Sequence, residues 1–382
     1  MFISKWMMQV NTGVLVPLWF ICSTAVAQDR FTLGINVQES WDSNFARNSD
    51  VDSEHYTQAA VSLAANQRFS KQDLALSVSG SRYIYDQRDD LNADFYEGQA
   101  SWRSAWSSGF STVLTWTRDA YPVDRLEFSG NDVVARDLTK AQFTLRASKQ
   151  ISISAGASQT AQTHSNSLRE NLDLDEEEAF VEASYKTLND SSLSIRLRDG
   201  ERVYPYSNPD ELLSLDYQYQ QREFETVWAL TPKTRLSATI GEFDRKGEIN
   251  AGVGTQSVLN ASWAVSEKFS LVFGYSQSKP AVGETADSPS NVRGGHIKLA
   301  WEPVTKWSIN MEASHSELDY DERELRPARI ETVVVFTPLS LTYRFSESLA
   351  IRLTSQWVDR QSPLLYRDYD YALGSLGFAL TL

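Results

Sequence analysis

Apolar residues fall on every second position through most of this chain. Ile151, Ile153, Ala155 and Ala157 alternate with Ser152, Ser154, Gly156 and Ser158. Phe269, Leu271, Phe273 and Tyr275 alternate with Ser270, Val272, Gly274 and Ser276, and Trp307, Ile309, Met311 and Ala313 with Ser308, Asn310, Glu312 and Ser314. Leu349, Ile351 and Leu353 sit between Arg352, Thr354 and Gln356, and the chain closes on Leu376, Phe378, Leu380 and Leu382 opposite Ser375, Gly377, Ala379 and Thr381. A period of two is the signature of strands with unlike faces, not of helices. An apolar strand at the end of a soluble chain would template aggregation, whereas in a closed membrane barrel it pairs with the first strand and meets lipid.

Short turn clusters punctuate the pattern near 70–72, 107–109, 148–150, 188–190, 231–233, 266–268, 303–306 and 346–348. They recur about every forty residues, a period that propeller blades also show. A blade needs four short strands, but each interval here holds two, each about ten residues long, enough to cross a bilayer when tilted. Longer polar connections lie near 42–54, 86–92, 119–138, 160–177, 199–211, 243–255, 277–294, 316–328 and 359–368. Short turns at one end and long loops at the other are the asymmetry of outer-membrane barrels, with the turns periplasmic. The expected fold is therefore all-β, a transmembrane antiparallel outer-membrane β-barrel of about eighteen strands. Parity slips around 210–230 and 328–346, which suggests a bulge or a displaced boundary. Trp102, Trp106, Trp228, Trp263, Trp301 and Trp307 stand near short turns, where aromatic girdles form.

The amino terminus fits export. Lys5 precedes the apolar run 14–22, and Ala25-Val26-Ala27 supplies an A-x-A cleavage pattern before Gln28. Residues 1–27 are expected to be a cleaved signal peptide, and residues 28–382 a single barrel domain. Cleavage removes the only cysteine, Cys22, and with it thiol and disulfide chemistry. A net charge of −14 argues against nucleic acid as a partner. Mean hydropathy is −0.38, which suits a barrel because only alternate residues face lipid.

Candidate chemistry is sparse. The four histidines, His55, His164, His296 and His315, are followed two residues later by Thr57, Asn166, Lys298 and Glu317, so none offers a serine for a lipase-like pair. No His/Cys metal cluster and no phosphate-binding glycine loop is present, and neither an enzyme nor a cofactor is expected. The acidic runs 170–178 and 317–324 read as solvated loop charge rather than Ca²⁺ or Mg²⁺ sites, since they lack EF-hand spacing. Tyr83, Tyr85, Arg146, Arg196, Arg198, Lys298, Glu312 and Arg352 fall at the parity assigned to the lumen, and are the pore-lining candidates. They either brace and hydrate a channel or guide an acidic or hydroxyl-rich cargo.

Two segments carry a family resemblance. Trp41-Asp-Ser-Asn-Phe-Ala-Arg47 resembles the opening after the first strand of exopolysaccharide-biosynthesis outer-membrane barrels of the EpsL type. Residues 66–76, then Ser81-Arg-Tyr-Ile-Tyr-Asp86, then Phe95-Tyr-Glu-Gly-Gln-Ala-Ser-Trp102, resemble that family's next strands. The likeness covers about residues 31–120. It implies a conduit or accessory for a secreted polysaccharide, working with periplasmic and inner-membrane synthesis and export proteins, and carries over no catalytic residue. Export of exopolysaccharide through a hydrated polar lumen is thus the expected function. The alternatives are a general or solute-selective porin and a plugged structural barrel.

Overall fold

The computed structural model describes residues 31–48, 52–207, 214–284, 287–322 and 327–382. The expected signal peptide lies outside them. Eighteen strands follow one another. The first six are β1 (Phe31–Asp42), β2 (Glu54–Phe69), β3 (Gln72–Tyr85), β4 (Ala93–Ala105), β5 (Phe110–Pro122) and β6 (Val133–Arg146). Next come β7 (Ile151–His164), β8 (Leu174–Lys186), β9 (Ser192–Val203), β10 (Tyr217–Thr231), β11 (Thr234–Gly247) and β12 (Gly252–Ser266). The last are β13 (Phe269–Ser278), β14 (Asn291–Trp301), β15 (Trp307–Tyr320), β16 (Arg329–Arg344), β17 (Leu349–Gln361) and β18 (Tyr369–Thr381). Each pairs antiparallel with its sequence neighbours, and β1 pairs with β18 from Gly34↔Thr381 to Asp42↔Leu373, closing the cylinder. Closure leaves no open edge, so every backbone group in hydrocarbon finds a partner in an adjacent strand. This is the eighteen-strand outer-membrane barrel anticipated from the alternation, and it places the chain in the outer membrane.

The periplasmic turns are as short as expected. Ser70 and Asp190 hold positive φ (55° and 61°) in two of them. The strands run from 10 to 16 residues, longer than anticipated, and the loops are correspondingly shorter. The connection placed at 119–138 begins only after Pro122, and the one placed at 160–177 spans 165–173. Above the membrane both strand faces are polar, so the apolar alternation that marks a strand is lost there although the hydrogen-bonded ladder continues.

The two faces separate by residue type. Leu33, Ile35, Val37, Val61, Leu63, Leu76, Val78, Ile153, Ile195, Leu197, Leu376 and Phe378 are exposed on the outer wall. Their sequence neighbours point into the lumen and are partly or fully covered. Trp106, Trp228, Trp263, Trp301 and Trp307 are exposed near the periplasmic turns as a girdle. Trp106 Nε1 donates to Thr112 Oγ1 at 2.9 Å. Toward the extracellular ends the outer wall turns ionic. Arg82 meets Asp94 at 3.9 Å, Arg118 meets Asp137 at 2.6 Å, and Arg293 pairs with Glu317.

The parity slip at 328–346 is a β-bulge. Register shifts between Asn310 and Glu312 on β15 and between Phe336 and Leu339 on β16, so Pro338 and Leu339 together oppose Met311. Proline cannot donate to the ladder, and a bulge is where a strand tolerates it. At 210–230, β10 keeps strict parity from Tyr217, and its register shifts only at Ala229/Thr231, beside the periplasmic turn.

Candidate functional site: the lumen wall

The densest chemistry on the inner wall is a charged ladder across β8, β9 and β10. Glu176, Glu178 and Glu182 share a parity on β8, as do Arg196, Arg198 and Arg202 on β9. The register sets Glu182 opposite Arg196 and Glu176 opposite Arg202. Arg196 Nε donates to Glu182 at 2.7 Å, and Arg202 donates from Nε and Nη2 to Glu176 at 3.1 and 2.7 Å. Glu223 on β10 accepts from Arg198 at 2.7 Å and lies 3.5 Å from Arg196, so one carboxylate joins two arginines. The Tyr219 hydroxyl donates to Glu176 at 2.6 Å and to Glu178 at 3.1 Å. Gly200 makes that reach possible, because a Cβ there would stand 2.6 Å from the Tyr219 ring and 2.8 Å from the Glu177 carbonyl. Nearby, Lys140 lies 4.7 Å over the Phe180 ring.

A second network sits at the extracellular end. Glu331 accepts from Arg329 at 2.7 Å, from Arg360 Nε at 2.9 Å and from Arg367 Nε at 2.8 Å. Its side chain is 0% exposed. Arg360 and Arg367 both donate to the Tyr320 hydroxyl, at 3.3 and 3.2 Å. Asp287 pairs with Arg329 and, at 3.4 Å, with Arg367. The network thereby fastens the β13–β14 and β17–β18 loops to the wall.

Beside it on β18, the first loop is tied by the residues of the Trp41–Arg47 motif. Asp42 accepts from the Asn44 amide at 3.0 Å and from both terminal nitrogens of Arg47, at 2.8 and 2.6 Å. Asn44 donates to the Asp370 carbonyl at 3.0 Å, which holds β1 against β18. Burial works against the Arg47 charge, but the bond to Asp42 and nearby acidic groups outweigh it and hold the guanidinium above its ordinary value. The Arg47 guanidinium also covers the Tyr371 ring at 3.5 Å. Removing the carboxylate in Asp42→Ala leaves a buried unpaired guanidinium, and is expected to cost about 3 kcal/mol in reversible unfolding from micelles.

The eight pore-lining candidates do not form one site. Arg196 and Arg198 meet through Glu223. Lys298 and Glu312 pair at 3.0 Å across β14 and β15. Tyr83 and Tyr85 join an aromatic cluster with Tyr56, Phe45 and Phe95, and Tyr85 packs on Phe45 and Leu91 beneath the first two loops. Arg352 reaches Thr342 Oγ1 at 3.4 Å. Arg146 lies at the periplasmic end of β6, away from the others.

The acidic run 170–178 is not a solvated loop. Residues 174–178 belong to β8, and Glu176 and Glu178 are bonded to Arg202, Arg198 and Tyr219. Sequence reasoning also missed Arg202, Glu223 and the Glu331 group. The readable signal was acids and arginines at one parity on successive strands, Glu176/Glu178/Glu182 followed by Arg196/Arg198/Arg202.

No protein-family model matches the sequence, and no curated protein matches it. Solved structures do share its fold. OccK9 (OpdG) of Pseudomonas aeruginosa aligns with a TM-score of 0.53 at 11% identity, covering 92% of this chain and 98% of that one. OccK2 (OpdF) of the same organism, solved in complex with glucuronate, aligns with a TM-score of 0.52 at 10% identity over 92% of this chain and 96% of that one. The P. aeruginosa outer membrane protein OpdK gives 0.50 at 10% identity over 92% and 99%. The closed eighteen-strand wall is therefore a fold that this chain shares with these outer-membrane proteins.

These likenesses correct two expectations. None of these three structures is an exopolysaccharide-export barrel, so neither the EpsL-type resemblance nor the polysaccharide-export function stands. The physical reason is visible in the motif itself. Asp42, Asn44 and Arg47 are accounted for by the turn that ties β1 to β18, and residues 66–102 by the ordinary two-faced wall of β2 to β4. Any barrel can use both.

Proposed function

We propose that this barrel is a solute-selective outer-membrane channel for small polar solutes bearing an acid group, and that it performs no catalysis. One observation carries the reading. Arg196 and Arg198 stand two residues apart on one inward face, each bonded to glutamates on both neighbouring strands, while Arg202 farther along is buried against Glu176 and Glu284. Such a row offers successive weak sites for a carboxylate, while the glutamates keep any single site from becoming a trap. The fold neighbour that binds glucuronate supports the choice of solute. Membrane lipid around the apolar wall is the partner this reading requires.

The test is flux through purified protein in liposomes. Glucuronate is expected to enter faster than the neutral sugar glucose at low salt. Replacing Arg196 and Arg198 together by glutamine is expected to reduce that preference about tenfold, a modest share of what two charges near 4 Å can contribute at a protein surface. Equal entry of both solutes, before and after substitution, would overturn the reading.

A further inference from the structure

The periplasmic exit of the lumen has a charge opposite to that of the whole chain. Consider the inward positions within two residues of the periplasmic strand ends. They carry Arg68 on β2, Arg103 on β4, Arg146 on β6, Lys186 on β8, Arg235 on β11 and Arg344 on β16. Two inward carboxylates stand at that level among the described residues, Asp73 on β3 and Glu302, which continues the inward parity of β14 and donates its amide to the Lys268 carbonyl at 2.8 Å. Six basic groups against two acids form a collar in a protein of net charge −14. The turn tips below are more mixed, with Lys71, Lys149, Lys233, Lys268 and Lys306 alongside Asp190, Glu267 and Glu347, so most of the excess belongs to the lumen side.

Little within the protein neutralises the collar. Asp73 lies 3.4 Å from Arg68, and the register also sets it opposite Arg103. Lys186 pairs with Asp190 in the adjoining turn at 2.9 Å, and Arg344 donates to the Thr305 carbonyl at 3.3 Å. The Arg103 and Arg146 side chains have no hydrogen-bond or ion-pair partner among the described residues, and both are exposed. Farther up the wall basic groups come with acids, as Arg196 does with Glu182 and Lys298 with Glu312. The contrast is between a compensated middle and a sparsely compensated exit.

We infer that this collar is a binding site for multivalent anions of the phosphate class, loaded from the periplasmic side. Several separated guanidinium groups around one opening suit a ligand with several charges better than a monovalent one, because each contact is weak and screened and the gain comes from engaging many at once. Guanidinium is also the side chain whose paired donors match phosphate oxygens. The inward placement separates the collar from phospholipid headgroups, which surround the barrel's outer surface. The site differs from the arginine row of β9 in level, strands and ligand valence. It rests on the channel reading only in requiring the exit to be open to solvent.

Inorganic tripolyphosphate is the probe. Calorimetric titration of the detergent-solubilised barrel is expected to show saturable binding that weakens as salt rises. A variant with Arg103→Gln, Arg146→Gln and Arg235→Gln, kept folded by substitutions at exposed rim positions, is expected to bind about tenfold more weakly. In planar bilayers with oriented insertion, tripolyphosphate on the periplasmic side should block current at lower concentration than on the extracellular side, and the variant should lose that asymmetry. Equal binding by native protein and variant overturns the inference whether or not the barrel conducts. A barrel that binds the probe in this way but does not conduct would sink the channel reading and leave the collar standing.

Discussion

Glu331→Ala is expected to lower the unfolding free energy by about 3–5 kcal/mol, because it leaves Arg329, Arg360 and Arg367 around a missing carboxylate. The side chain is wholly enclosed, so water cannot take over the role without opening the mouth. Asp287 pairs with Arg329 and Arg367, whereas Glu331 is the acid of this network that pairs with Arg360. The loss should come with earlier proteolytic cutting in the β13–β14 and β17–β18 loops, which the network holds against β16. Glu331→Gln should fall between, since an amide keeps one acceptor and loses the charge. Denaturant unfolding in micelles, paired with limited proteolysis, measures both. A change within the range of an exposed surface pair, under about 1 kcal/mol, would mean that the three arginines find other partners.

Leu197→Arg tests the opposite face of the same wall. Leu197 points outward midway along β9, between inward Arg196 and Arg198. An arginine there is expected to cost about 2–4 kcal/mol near the bilayer midplane, although its two neighbours are already arginines. Unfolding in phospholipid vesicles of defined chain length is the suitable measurement, with the cost shrinking in thinner bilayers. Free acceptance of arginine at 197 would deny that this face meets hydrocarbon.

How far the sequence could be read depended on which solvent each face meets. Where lipid lies outside and water inside, residues such as Ile151/Ser152 or Phe269/Ser270 alternate cleanly, and strand number, closure and loop asymmetry could all be read. Above the bilayer water lies on both sides, so Asp175 to Glu178 and Asp119 to Pro122 looked like loop although they continue their ladders. The bulge was detectable as a slip of parity, and Pro338 explains it. Individual lumen residues were legible as inward-pointing but not as partners, because pairing depends on stagger between strands: Glu182 meets Arg196 only through the β8–β9 register. Loop contacts were out of reach. Nothing local in Glu331 announces that Arg367, 36 positions away, will bond to it. The Asp42-Asn44-Arg47 motif misled for a related reason, since a turn that solves a general problem of closing a cylinder recurs without shared ancestry or cargo.

The ionic pairs on the outer wall have a mechanical consequence. Arg82–Asp94, Arg118–Asp137 and Arg293–Glu317 cannot sink into hydrocarbon without losing hydration, while the tryptophans at the opposite end resist leaving the headgroup level. Together they act as two stops that set how deep the cylinder floats. A bilayer thicker than the greasy band between them must thin locally around the protein, or the cylinder must lean, and either response carries an energetic cost for each ångström of mismatch.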